Sequence, residues 1–80
     1  MYFVYLIQSE PYPDQKYYGI TSNMEARLRD HNAGKSPHTS KYVPWKLVTF
    51  VAFSDKSKAH AFERYIKSHS GRAFANKHLW

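Results

Sequence analysis

Residues 2–9, YFVYLIQS, constrain the fold more than any other stretch of the chain. β-Branched and aromatic side chains run through them almost without a break, the pattern of a nearly continuous apolar strand. EPYPDQ follows, with Pro11, Pro13 and Asp14, and reads as a turn or loop. KYYGI is then a second short strand. The pair is predicted to form an antiparallel hairpin, and the rest of the chain must supply what covers it.

The period changes at TSNMEARLRDHNAG. Ser22 followed by Glu25 is a capping-box pattern, and Asn23 is the alternative cap. Met24, Leu28 and His31 fall on one stripe of a short helix, and Gly34 is placed to end it. KSPHTSKYVP has no apolar period and contains two prolines, so it is expected to be a loop. WKLVTFVAF is expected to be a strong buried strand. Ser54 offers an N-cap for the helix DKSKAHAFERYIKSH, whose apolar stripe is Ala59, Phe62 and Ile66, flanked by Tyr65. Gly71 is expected to break it. RAFANKHLW then forms a last short helix with Phe74, His78 and Trp80 facing inward. The order β-β-α-β-α-α implies a small α/β (α+β) sandwich over residues 1–80: one three-stranded, mainly antiparallel sheet flanked by helices.

Eighty residues make one small domain, and seven Tyr, five Phe and two Trp must supply much of its core. No cysteine is present, so neither disulfides nor a thiolate metal site staples the fold. That composition fits a reducing, cytoplasmic setting. The apolar start is too short to span a bilayer and lacks the basic flank and cleavage site of a signal peptide. Twelve Lys and Arg against six Asp and Glu give a formal charge of +6. A polyanionic partner is expected, nucleic acid before membrane.

Several polar residues are candidates for chemistry, and each has an ordinary explanation. Tyr5 and Tyr17 sit on the two hairpin strands, where a register that aligns them puts both on one face; aromatic cross-strand pairs also simply stabilise hairpins. Tyr18 points to the opposite face and is expected in the core. Gly19 either ends a strand or lets another group come close. Arg27 and His31, four apart, share a helix face. Arg27 suits bidentate phosphate binding or is a solvated arginine, as Arg29 is expected to be. His31 is at the apolar edge of its helix, where a packed histidine is common. Glu63 adjoins the apolar stripe of the second helix, so it is half-buried; a Glu63–Lys67 ion pair would account for it. Lys35, Lys41 and Lys46, interleaved with Tyr42 and Trp45, could line a nucleic-acid surface, although Trp45 at a strand start reads better as core. His38, His60, His69 and His78 share no zinc-ligand spacing.

Taken together, separated pieces resemble the GIY-YIG nuclease domain, in particular its small single-domain bacterial members, related to the N-terminal nuclease domain of an excision-repair subunit. Phe3-Val4-Tyr5 stands at the first half-motif and Tyr17-Tyr18-Gly19 at the second. Thr21, Asn23, Arg27, Leu28, His31, Asn32 and Gly34 follow in order, then TSKYVPWKLV and FERYIK. Phe3 replaces the first motif's glycine and Tyr18 the second's isoleucine, while both naming tyrosines are intact. The resemblance covers nearly the whole chain. It implies a divalent-metal-dependent endonuclease hydrolysing DNA phosphodiester bonds, with structured or damaged DNA among the expected targets and DNA ahead of RNA. It implies Tyr5, Tyr17, Arg27 and His31 as catalytic residues, with His31 polarising a tyrosine or contacting phosphate. It also implies Gly19, Lys41 and Asn76 at the substrate, with Lys77 as the alternative to Asn76, and Glu63 as ligand to one Mg²⁺ or Mn²⁺. Family members usually carry a separate domain that selects the target; without one, a homodimer or a specificity-giving protein partner is expected. The rival readings are a nucleic-acid-binding module of the same fold that does not cut, and a protein-interaction domain of an RNA assembly.

Overall fold

The central element is β1 (Tyr2–Ser9), and its apolar run explains the position. Val4 and Leu6 project to one face of the sheet and Tyr5 and Ile7 to the other, and all four are buried. A strand apolar on both faces must have layers on both. In a computed structural model that describes all 80 residues, β1 pairs antiparallel with β2 (Lys16–Thr21) on one side and β3 (Trp45–Phe53) on the other. The sheet order is β2-β1-β3. Helix α1 (Met24–Asn32) covers the Tyr5 face, through Met24 and Leu28. Helices α2 (Lys56–Lys67) and α3 (His69–His78) cover the other, where Val4, Leu6, Ala59, Ile66 and Ala75 form the larger core. The chain order β-β-α-β-α-α is the expected one. No helix is long and apolar enough to cross a membrane.

β3 is not the buried strand its composition suggests. Only Trp45 is buried, while Lys46, Phe50 and Ala52 are exposed. It lies at the sheet edge, and its pairing shifts by one residue at Val48, between Leu6↔Thr49 and Ile7↔Leu47, which bends an edge strand.

Local signals account for the helix ends. Asn23, with extended backbone, caps α1, its side chain accepting from the Ala26 N–H at 3.1 Å. The chain turns at Gly34, the one residue with positive φ (76°), where a residue without Cβ is unstrained. Asp55, not Ser54, caps α2 and accepts from the Ser57 and Lys58 N–H groups. A carboxylate is the stronger acceptor at the positive end of a helix.

The break between α2 and α3 comes at Ser68 rather than Gly71. Its hydroxyl donates to the Tyr65 carbonyl at 2.6 Å and accepts from the Gly71 N–H at 3.1 Å, so one side chain serves two helix ends. Gly71 belongs to the first turn of α3. A Cβ there would lie 1.7 Å from the Tyr65 carbonyl oxygen, so the tight corner requires glycine. The inward face of α3 is Gly71 and Ala75, continued by Leu79 and Trp80 just past its end. Phe74 and His78 are exposed and stack on each other at 4.9 Å, contrary to the expected inward stripe. With Gly71 packed against the Tyr65 carbonyl, Ala75 and Leu79 fall on the core side, and Phe74 and His78 turn outward.

Candidate active site

Strand register sets the first two groups. Tyr5 pairs with Gly19 and Ile7 with Tyr17, so the tyrosines are diagonal neighbours on the α1 face. Tyr18, opposite Leu6, projects to the other face and packs against the larger core, as expected. Tyr5 is only 1% exposed. A Cβ at position 19 would sit 2.6 Å from Tyr5 Oη and 2.9 Å from its Cζ. The bare backbone of Gly19 is what gives the phenol room.

Helix α1 supplies the next two groups, one turn apart. The Arg27 Nε–H donates to Tyr5 Oη at 3.1 Å. His31 Nε2 shares a hydrogen bond with the same oxygen at 2.9 Å. The other ring nitrogen, Nδ1, is 2.8 Å from Thr39 Oγ1. Thr39, His31, Tyr5 and Arg27 thus form one hydrogen-bonded chain. It runs from the interior, where Thr39 is 1% and His31 0% exposed, to the surface. The Tyr17 ring packs edge-on against the His31 ring, 5.3 Å between centroids. Arg27 takes part in neither of the two ion pairs, Lys35–Asp30 and Lys67–Glu63, which leaves its terminal amino groups for a ligand.

Helix α2 brings Glu63 and Lys67 to the opposite wall. Their ion pair is 2.7 Å long, and the Glu63 side chain is 15% exposed. These two residues, Tyr5, Tyr17, Gly19 and Arg27 line one open cleft of about 460 Å³, with Lys16, Tyr18 and Ile20 at its β2 edge. Three cationic side chains therefore face a single carboxylate.

The electrostatics follow from burial and neighbours. Burial pushes the Tyr5 phenol above its ordinary range, and the hydrogen bond from Arg27 works against that rise. The same bond pushes Arg27 further up, so its charge is permanent. Burial, then the nearby Arg27 charge, lowers the pKa of His31, which keeps its imidazole neutral. Hydrogen bonding to Glu63 raises Lys67.

The cleft suits an anionic ester. Arg27 can grip phosphoryl oxygens, and Lys16 and Lys67 add positive potential. The donor set also fits a hard divalent ion: one half-buried carboxylate whose second oxygen has no protein partner, with space beside it for water and phosphate oxygens. Lys67 now occupies the other oxygen and would have to give way.

Of the residues singled out in the sequence, Tyr5, Tyr17, Gly19, Arg27 and Glu63 meet in the cleft. His31 reaches it only through Tyr5; its complete burial excludes the phosphate contact considered for it. Lys41 is exposed on the short 3₁₀ turn Ser40–Tyr42 and does not line the cleft. Asn76 lines a separate shallow hollow of about 180 Å³ next door, with Lys16, Tyr18, Arg72 and Trp80. Asn32, inside the motif, has a structural task. Its side chain accepts from the Trp45 N–H at 2.6 Å and donates to the Trp45 carbonyl at 3.1 Å, clamping the start of β3 to α1. Trp45 is core, its indole N–H donating to the Thr39 carbonyl at 2.8 Å. Sequence reasoning missed Thr39, a loop residue with no periodic signal, and Lys16, whose place beside Tyr17 was the only hint.

Fold and cleft together describe an α+β domain built on a tyrosine hairpin. The chain belongs to the GIY-YIG catalytic domain family, which it matches over residues 1–77. Among its relatives is a UPF0213 protein of Staphylococcus haemolyticus, 39% identical over 86% of this chain and 83% of that one. Another, from Haloquadratum walsbyi, is 34% identical over 86% of this chain and 76% of its own length. The structure-specific endonuclease subunit SLX1 homolog of Giardia intestinalis is 41% identical over 82% of this chain, which spans only 19% of that protein. The solution structure of a UPF0213 protein from Bacillus halodurans covers 96% of the chain with a TM-score of 0.56, at 26% identity over 84% of its own length.

Proposed function

We propose that this chain is a divalent-metal-dependent endonuclease that hydrolyses DNA phosphodiester bonds in the cleft between the hairpin and α2. The observation that carries the proposal is the convergence on one cleft of Arg27, bonded through Nε to Tyr5 Oη, and Glu63, the sole carboxylate lining it. Arg27 would bind the non-bridging phosphoryl oxygens with its terminal amino groups and stabilise the charge that develops on them. Tyr5, once its own proton has passed to solvent against the upward push of burial, would as phenolate take the proton of an attacking water, and the Arg27 guanidinium bonded to it would hold the negative charge. Tyr17, half-buried in the same cleft, would orient the water or the phosphate. Glu63 would hold the one Mg²⁺ or Mn²⁺, which when bound supplies Lewis-acid stabilisation of the phosphoryl and leaving oxygens. Family membership and relatives named as structure-specific endonuclease subunits support recognition of DNA shape, with a second copy or a partner protein adding selectivity.

One observation favours a second reading. Lys67 Nζ sits on Glu63 where a metal would bind. With that pair intact, the cleft would hold a phosphate between Arg27, Lys16 and Lys67 without cutting it.

Nicking of supercoiled plasmid and cleavage of branched DNA with Mg²⁺ or Mn²⁺ separate the two. Wild type is expected to cut, and Arg27→Ala and Glu63→Ala to cut roughly 100- to 1,000-fold more slowly. Variants as active as wild type would remove the site from this cleft. Salt-sensitive DNA binding with no cleavage would favour the binding module.

A further inference from the structure

The role of Thr39 follows from the hydrogen-bond chain behind Tyr5. We infer that Thr39 is a positioning residue, whose hydroxyl fixes His31 as the Nε2–H tautomer and so makes Tyr5 Oη accept two hydrogen bonds while its own proton faces the cleft. The functional part rests on the nuclease reading; the tautomer does not.

Thr39 is 1% exposed, and Oγ1 has one partner, His31 Nδ1 at 2.8 Å. A buried hydroxyl needs an acceptor for its hydrogen. If Nδ1 carried the ring proton, the ring would donate to Thr39, and the Thr39 hydrogen would be buried with no acceptor. If Nδ1 is bare, Thr39 donates to it and the ring proton lies on Nε2. Nε2–H then donates to Tyr5 Oη at 2.9 Å. A doubly protonated ring is disfavoured by burial and by Arg27, the cation facing it from its own helix. With Arg27 Nε–H at 3.1 Å, the Tyr5 oxygen accepts from two donors; Tyr5 lines the open cleft, so its own O–H can turn to water there, an acceptor the interior position of Thr39 does not offer. When that proton leaves, the phenolate already has both donors, and no neighbour has to move or change tautomer.

Thr39 reaches Tyr5 from an unrelated part of the chain, held by its own surroundings. Its N–H donates to the Ser36 carbonyl at 3.2 Å, and its carbonyl accepts from the Trp45 indole. The loop between α1 and β3 is thereby a support for the tyrosine rather than a mere connection.

Long-range ¹H–¹⁵N correlation spectra of the full chain report ring tautomers directly. The expected result is His31 Nε2 protonated and Nδ1 bare in wild type and in Thr39→Ser. Thr39→Val, of nearly the same shape, should lose that preference. A wild-type spectrum with Nδ1 protonated overturns the inference, whether or not the protein cuts DNA. In the cleavage assay Thr39→Val should lower kcat about 10- to 100-fold with KM little changed, and Thr39→Ser should restore it. A folded Thr39→Val that cuts like wild type overturns the functional part. The expected tautomer in a protein that never cuts upholds the assignment and sinks the nuclease reading instead.

Discussion

At the scale of single residues, the cleft depends on what is absent at position 19 as much as on what is present at 5. A methyl at Gly19 would meet Tyr5 Oη at 2.6 Å, and the phenol is held by both Arg27 and His31. Gly19→Ala should therefore shift Tyr5 and slow cleavage by about 100-fold. The overpacking should cost about 1–3 kcal/mol in thermal or urea unfolding. Unchanged cleavage would show that the phenol's position is unimportant. His31 gives a pH signature. Its folded pKa lies below the unfolded value of about 6.5, so the native state takes up the proton less readily. Its contribution is complete above about pH 6.5 and is lost as pH falls towards the lowered folded pKa. Melting temperature should drop over that range, and His31→Gln should drop less steeply. A parallel drop in the variant would assign the acid sensitivity elsewhere. These residues were unequally legible. Tyr5, Tyr17, Arg27 and Glu63 stood out because several separated segments agreed. Thr39 did not, because its partner is eight residues away across a helix end and a loop, beyond any local period.

At the scale of elements, sequence signals were clearest where the interaction is local. The hairpin, the α1 stripe and the Gly34 terminus are all settled by near neighbours, and they appear as expected. Errors fall where a distant contact decides. Gly71 looked like a helix breaker; its small size instead serves a contact with the Tyr65 carbonyl across the corner. Phe74 and His78 looked inward because Gly71, read as a breaker, was not counted on the face that packs, and its contact with Tyr65 puts Ala75 there instead. β3 looked buried because composition does not reveal an edge position. The corner is testable: Gly71→Ala would place Cβ 1.7 Å from the Tyr65 oxygen, so α2 and α3 must separate. A loss of about 3 kcal/mol in urea unfolding is expected. A loss within about 0.5 kcal/mol, the range of ordinary surface changes, would show that the corner relaxes freely.

For the whole molecule, the fold places a tyrosine pair, an arginine and a carboxylate from four elements around one cleft, on a chain with net charge +6. The charge would attract a polyanion, and on the proposed reading the cleft is where it would be attacked. On the proposed reading the scissile phosphate lies between Arg27 and Glu63. The most direct measurement is a crystal structure with Mn²⁺ and a duplex carrying one cleavage-resistant phosphorothioate. The predicted result is anomalous density at Glu63, Lys67 released from its carboxylate, and a backbone phosphate on the Arg27 amino groups. DNA bound across another face, with Mn²⁺ away from Glu63, would contradict it.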